Sequence, residues 1–199
     1  MRGWPIVGWA AVGLSAMVLV VFLLHGTGEE GLRRAVRATA RTSVSLFLLA
    51  FAASSLRRLW PLPFTAWLLA NRRYVGVSFA VSHAIHLAAI LALARVVPAE
   101  HALLPTAELI GGILAYVALG LMTATSFDRT AAWLGPRRWR LLHRVSAYFL
   151  WLIFALNYVG GAFVNPVHLP FAAAVLGVLA LRIAARCAPP PRPVPARAA

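Results

Sequence analysis

Lysine is absent from this chain of 199 residues, and acids nearly so: five carboxylate side chains stand against nineteen arginines, for a net charge of +14. The acids are Glu29, Glu30, Glu100, Glu108 and Asp128. A carboxylate-bridged metal site or a two-carboxylate hydrolase has too little material to build on. The one cysteine, Cys187, excludes an intramolecular disulfide and cannot hold an iron–sulfur cluster alone. No glycine-rich dinucleotide fingerprint stands in a strand–helix context, so no nucleotide-binding domain is expected. Charge of any kind is scarce, at 12% of residues. What fills the chain is apolar: 61% of residues are hydrophobic and the mean hydropathy is +0.80, outside the soluble globular range. The apolar residues come in blocks, as membrane helices require, and do not alternate as in a porin-type barrel. The arginines sit at the block ends and form no basic stripe interleaved with aromatics, which argues against nucleic acid as a partner.

The blocks predict an all-α integral membrane protein, a bundle of six transmembrane helices over 1–187 with a proline-rich, disordered tail over 188–199. Each block is near the roughly 20 residues a span needs. They run from about Trp4 to Leu24, Ala38 to Leu56, Tyr74 to Ala94, Leu103 to Phe127, Leu141 to Val164 and Val167 to Ala185. No Ala-x-Ala pattern follows the first, so it reads as an uncleaved helix. Trp60-Pro61-Leu62-Pro63 reads as an interfacial loop, because tryptophan favours the headgroup zone and proline breaks helices. With both termini cytoplasmic, fourteen arginines fall inside and five outside, which is the orientation the positive-inside rule favours. The expected location is a membrane crossed several times, with lipid as the surrounding partner.

Histidine inside such blocks is the informative feature, since ionisable side chains in lipid are costly and functional by default. His83 and His86 are three apart and share a helix face. Gly76 lies on nearly the same stripe and permits close approach of a bulky group. His86 is about twelve residues from the cytoplasmic boundary, roughly 18 Å deep. Neutral imidazole is a good iron ligand, and paired membrane histidines point to haem. Two histidines on one face cannot both bind one iron axially. One ligand beside one hydrogen-bonding neighbour is the arrangement open to them, with plain interhelical hydrogen bonding as the alternative. His143 enters the membrane from the cytoplasmic side beside Arg144. Leu156 and Asn157 lie close to its stripe, roughly 20 Å further out. Asn157 is either a cofactor contact or an interhelical hydrogen bond worth about 0.6–2 kcal/mol. His168 opens the sixth helix within reach of an outer cofactor. His25 and His101 fall in outer loops and read as surface residues, and Glu108 reads as interfacial.

Three signatures recur in order. Arg72-Arg73-Tyr74-Val75-Gly76 is followed by His86, thirteen residues after Arg73. Thr123-Ala124-Thr125-Ser126 closes the fourth helix. Leu134-Gly135, Arg138-Trp139 and Leu142-His143-Arg144 open the fifth. On these residues, over about 37–161, the chain resembles the ferric reductase-like transmembrane domain. Within that group it is most similar to the haem-binding membrane subunit of the bacterial methionine sulfoxide reductase system (MsrQ type).

The resemblance implies b-type haem, one or two, stacked between the third and fifth helices. It puts His86 and His143 at the axial iron positions, with His83, Arg73, Asn157 and His168 as further cofactor contacts. The family's second fifth-helix histidine falls here on Leu156 or Asn157. That loss leaves three arrangements: a single haem between His143 and His83 or His86, an outer haem on His86 with His168 or His101, or a fold that has shed its haem. The expected function is an electron conduit rather than a self-sufficient enzyme. It would take electrons from a cytoplasmic flavin reductase or quinol and deliver them to an acceptor on the outer face, with separate donor and acceptor proteins. Quinone and flavin are further cofactor candidates. The alternative is a haem-free membrane scaffold or a quinone- or lipid-binding protein on the same fold.

Overall fold

The computed structural model describes residues 3–97 and 106–189, so His101 and all but the first two residues of the tail lie outside the described part. The described residues are helical throughout and contain no strand: α1 (Pro5–His25), α2 (Glu29–Leu59), α3 (Pro63–Ala70), α4 (Arg72–Ala94), α5 (Thr106–Ala124), α6 (Asp128–Leu134), α7 (Pro136–Val164) and α8 (Leu169–Cys187). A 3-10 turn over Pro166–His168 joins the last two. Five helices are long and apolar enough to cross a membrane. A sixth candidate span is α5 together with α6, which bend by 103° at their junction. This is a multi-pass membrane architecture.

The second helix is longer than its apolar block. It starts at Glu29 because Arg33 and Arg34 pair with Glu29 and Glu30 one turn back, at 2.7 and 2.6 Å. Such exposed pairs are worth about 0.3–0.5 kcal/mol each, enough to carry a helix already nucleated by packing. Arg33, Arg34 and Arg37, expected ahead of the second span, therefore lie on helix together with Arg41, which was expected within it. Trp60 to Leu62 does break the chain, but Pro63 then serves as the first residue of α3, where its missing N–H costs nothing. The Leu62 N–H is satisfied by Thr65 Oγ1 at 3.1 Å. The fifth predicted helix likewise starts early, at Pro136, after Gly135 turns the chain at φ 77°. Only glycine adopts that region without strain.

α2 is the inner helix, and α1, α3, α4 and α8 all pack on it. Its buried face mixes small residues, Ala35, Thr39, Ser43, Ala52 and Ala53, with the larger Leu32, Val44, Phe47, Leu48 and Phe51. In lipid, close backbone approach and interhelical hydrogen bonds replace the hydrophobic effect as the packing force. Ser43 Oγ and Ser82 Oγ meet at 2.8 Å across the α2–α4 seam, both fully buried. α7 leans instead on α5 and α8. Phe47, Phe79 and Phe154 fill the bundle centre, with ring centroids 5.2–6.0 Å apart. At the end of the bundle where the chain starts, buried Asn71 accepts from the Gly3 N–H at 3.1 Å, and Trp4 stacks on Phe127 at 5.3 Å. That end of α1 is thus tied to the α4 start and the α5–α6 elbow.

A leucine at Ser82 would drive α2 and α4 apart. Ser82→Leu is expected to cost about 1–3 kcal/mol and lower the detergent-solubilised melting temperature, while Ser45→Leu on the exposed side leaves it unchanged. Equal melting of both variants would show that the seam does not limit stability.

Candidate functional site

Because α4 packs on α2 and α7 packs on α5 and α8, a space remains between α4 and α7. It is a cavity of about 640 Å³, within the range of roughly 300–1,000 Å³ typical of cofactor sites. Its floor is apolar: Phe47, Phe51, Phe79, Leu119, Met122 and Ala147. Its mouth is basic: Arg72 and Arg73 from α4, Arg140 and Arg144 from α7, and Arg182 from α8. Gly76 stands in the α4 wall, and a Cβ built there would meet nothing within 4 Å.

His143 is in the α7 wall. Its ring stacks on Trp139 one turn earlier, with centroids 4.2 Å apart and planes 27° off parallel. Trp139 Nε1 donates to the Thr125 carbonyl at 2.8 Å, which fixes the indole. Thr125 Oγ1 lies 3.0 Å from His143 Nε2 and also donates to the Leu121 carbonyl at 2.7 Å. A hydroxyl has one proton. If the hydroxyl donates to Leu121, His143 donates through Nε2–H and keeps its lone pair on Nδ1; if the hydroxyl donates to Nε2, the ring proton is on Nδ1.

His83 and His86 lie deeper. His143 shares the cavity with Gly76 and Phe79, so His83 is four to seven residues further along α4, roughly 6–10 Å. The Phe79 ring, 5.4 Å from His83, lies between them. His86 Nδ1 is 2.9 Å from Thr39 Oγ1, which itself donates to the Ala35 carbonyl at 2.7 Å. When that hydroxyl donates to Ala35, His86 carries its proton on Nδ1 and its lone pair on Nε2, the tautomer that a neighbouring acceptor sets in metal-binding histidines. The His83 ring stacks on Tyr116 at 4.7 Å and on His86 at 5.3 Å. His83 Nδ1 is buried without a hydrogen-bond partner.

The remaining expected contacts are scattered. Arg73 Nη1 donates to Asp128 at 2.6 Å, while its Nε is buried and unpartnered. Asn157 is exposed, and its amide donates to the Ile153 carbonyl at 2.8 Å on its own helix. Leu156 is exposed too. The inward residues of that stretch are Phe154 and Tyr158, both buried. Phe154 is eleven residues after His143, close to three full turns, which keeps it on the same stripe. Tyr158 lies 6.4 Å from Phe154 and 5.8 Å from His168. Aromatic rings therefore occupy the run from His83 to His168. Among the described residues no group of three or more His, Cys, Asp or Glu gathers to hold a bare metal ion.

Residues 38–154 match the family described as ferric reductase like transmembrane component. The chain belongs to this family. The match takes in most of α2, all of α3 to α6 and α7 through Phe154, and so includes the α4 and α7 walls of the cavity. It leaves out α1 and α8, hence Arg182. No curated protein and no solved structure matches the chain. Membership in a ferric reductase-like transmembrane family points to a role in membrane electron transfer.

The cavity's exposure is directly measurable. With Cys187 changed to serine, Gly76→Cys should react with a charged, membrane-impermeant maleimide from the same side as Arg137→Cys, while Asn157→Cys stays unlabelled. Labelling of Asn157→Cys with Gly76→Cys silent would invert the assignment of inward and lipid-facing positions.

Proposed function

We propose that the chain is a haem b-binding, multi-pass electron-transfer subunit of a bacterial inner membrane, with its cofactor between α4 and α7. The observation that carries this reading is the shape and chemistry of that space. Its floor suits a flat apolar macrocycle, its mouth suits carboxylates, and one imidazole stands in its wall. Haem when bound would supply a one-electron iron couple whose potential depends on ligand and burial. His143 is the proposed axial ligand. Trp139 and Thr125 hold its ring at the wall. To offer Nε2 to iron the ring must give up its hydrogen bond to Thr125 and carry its proton on Nδ1. The phenylalanine cluster beneath the cavity excludes water from the bundle centre. The donor is proposed to be a separate cytoplasmic flavin reductase or quinol and the acceptor a separate protein on the outer face, as in the haem-binding subunit of the methionine sulfoxide reductase system that the sequence resembles.

One observation favours a second seat. His86, with Nδ1 turned to Thr39, has the free Nε2 a ligand needs. Phe154 and Tyr158 stand where a partner ligand from α7 would come in, so the cavity at His143 is the seat proposed here.

Spectra of the purified protein, oxidised and dithionite-reduced, separate these readings. A b-type spectrum lost in His143→Ala and kept in His86→Ala is expected. The reverse pattern would move the haem to the deeper seat. A colourless protein that takes up no added haem would leave a haem-free scaffold. Thr125→Val, which removes the competing hydrogen bond, should tighten haem binding several-fold, as expected for a bond worth about 0.5–1.5 kcal/mol. Weaker binding would mean that Thr125 orients the ring for ligation.

A further inference from the structure

The cavity holds more positive charge than its own residues neutralise. Its one carboxylate, Asp128, is bound to Arg73 and otherwise faces solvent, with a side-chain exposure of 94%. Among the described residues no ion pair reaches Arg72 or Arg182. Among the described residues Arg72 makes no hydrogen bond and Arg182 bonds only to neutral groups. Arg182 Nη1 donates to the Phe51 carbonyl, Nε donates to Tyr148 Oη at 3.3 Å, and the guanidinium lies 4.0 Å from the centre of the Phe51 ring. Arg186 donates to the same Tyr148 oxygen at 2.7 Å. These contacts fix the Arg182 plane and leave Nη2 without a bond. Both guanidinium-bearing residues line the same cavity. Two cations thus line one cavity with no anion of the described residues between them, Arg182 half-buried and Arg72 exposed at the mouth, and a ligand that brings the anion relieves their repulsion.

We infer that Arg72 and Arg182 form a two-point clamp for a ligand bearing paired acid groups, the two carboxylates of haem. This rests on the proposed cofactor and extends it to α8, which lies outside the family match. Arginine's fixed fork suits carboxylate. The apolar floor suits the ring that bears these carboxylates, so clamp and floor together set which edge of the ligand faces the mouth. The phosphate of an anionic lipid headgroup offers the same chemistry from another source.

The test is titration of haem and of haem dimethyl ester, which lacks both charges, into the apoprotein in zwitterionic and in anionic nanodiscs. Wild-type protein should prefer haem to its ester by about ten- to a hundredfold, the range expected of hydrogen bonds to charged groups. Arg72→Gln and Arg182→Gln should each erase most of that preference while keeping the His143-dependent spectrum and shifting the reduction potential. Arg182→Lys should restore part of it. Arg72 makes no hydrogen bond among the described residues, so its variant is expected to fold even if Arg182→Gln does not. Equal affinity for haem and ester in the wild type, with the spectrum intact, overturns the clamp and spares the haem reading. Weaker haem binding in anionic lipid, without preference for the free acid, gives the arginines to lipid headgroups and also overturns it. Failure of the wild type to bind either compound overturns both.

Discussion

The seam between α2 and α4 is the constraint from which the rest follows. Small buried residues on α2 let α4 approach closely, and the Ser43–Ser82 and Thr39–His86 hydrogen bonds fix its rotation. Once α4 is committed to α2, it cannot also pack backbone to backbone on α7. α7 finds its partners in α5 and α8 instead. The two helices that carry the membrane histidines therefore face each other across a gap closed at its floor by three phenylalanines. The cavity is a consequence of helix pairing rather than of any single residue lining it.

Charge placement sets the second boundary. With nineteen arginines and five acids, the chain cannot neutralise itself. Exposed arginines at helix ends cost little, because water and headgroups solvate them. Arg182 is different, since it lies half-buried within α8 and rests on an aromatic ring and a backbone carbonyl. A guanidinium in such a place is a poor contributor to stability by itself. Its position is easier to understand as part of a site that receives an anion.

Much of the fold was legible because hydropathy blocks and proline positions are local signals. The first, third and sixth predicted helices lie within about three residues of α1, α4 and α8 at each end. The second and fifth were predicted too short. Arginine lowers the hydropathy of a segment without stopping a helix, so Arg33 to Arg41 and Pro136 to Arg140 read as edges while being helical. The place of His143 at a span entrance was legible in the sequence, and the cavity wall includes it. The place of Arg182 was not, since one arginine near the end of an apolar block reads as an anchor, and only three-dimensional packing brings it beside Arg72. Thr39 belongs to no motif, and although Thr125 and Trp139 stand within two of the signatures, the signatures do not tell what these side chains touch. Their significance is the tautomer and ring orientation they impose on histidines far away in sequence. The inward position of Phe154 was hidden for another reason: the helical stripe from His143 passes near 154 and 158 on one side and near 157 on the other, and a small rotation of the helix decides which side faces the core.

The most direct test of the account is an experimental structure of the protein purified with haem. The account requires planar density between α4 and α7, its iron at bonding distance from a His143 ring nitrogen and its carboxylates beside the arginine mouth. Density centred on His86 with the cavity at His143 empty, or a haem-free bundle in which α7 has closed onto α4, would contradict it.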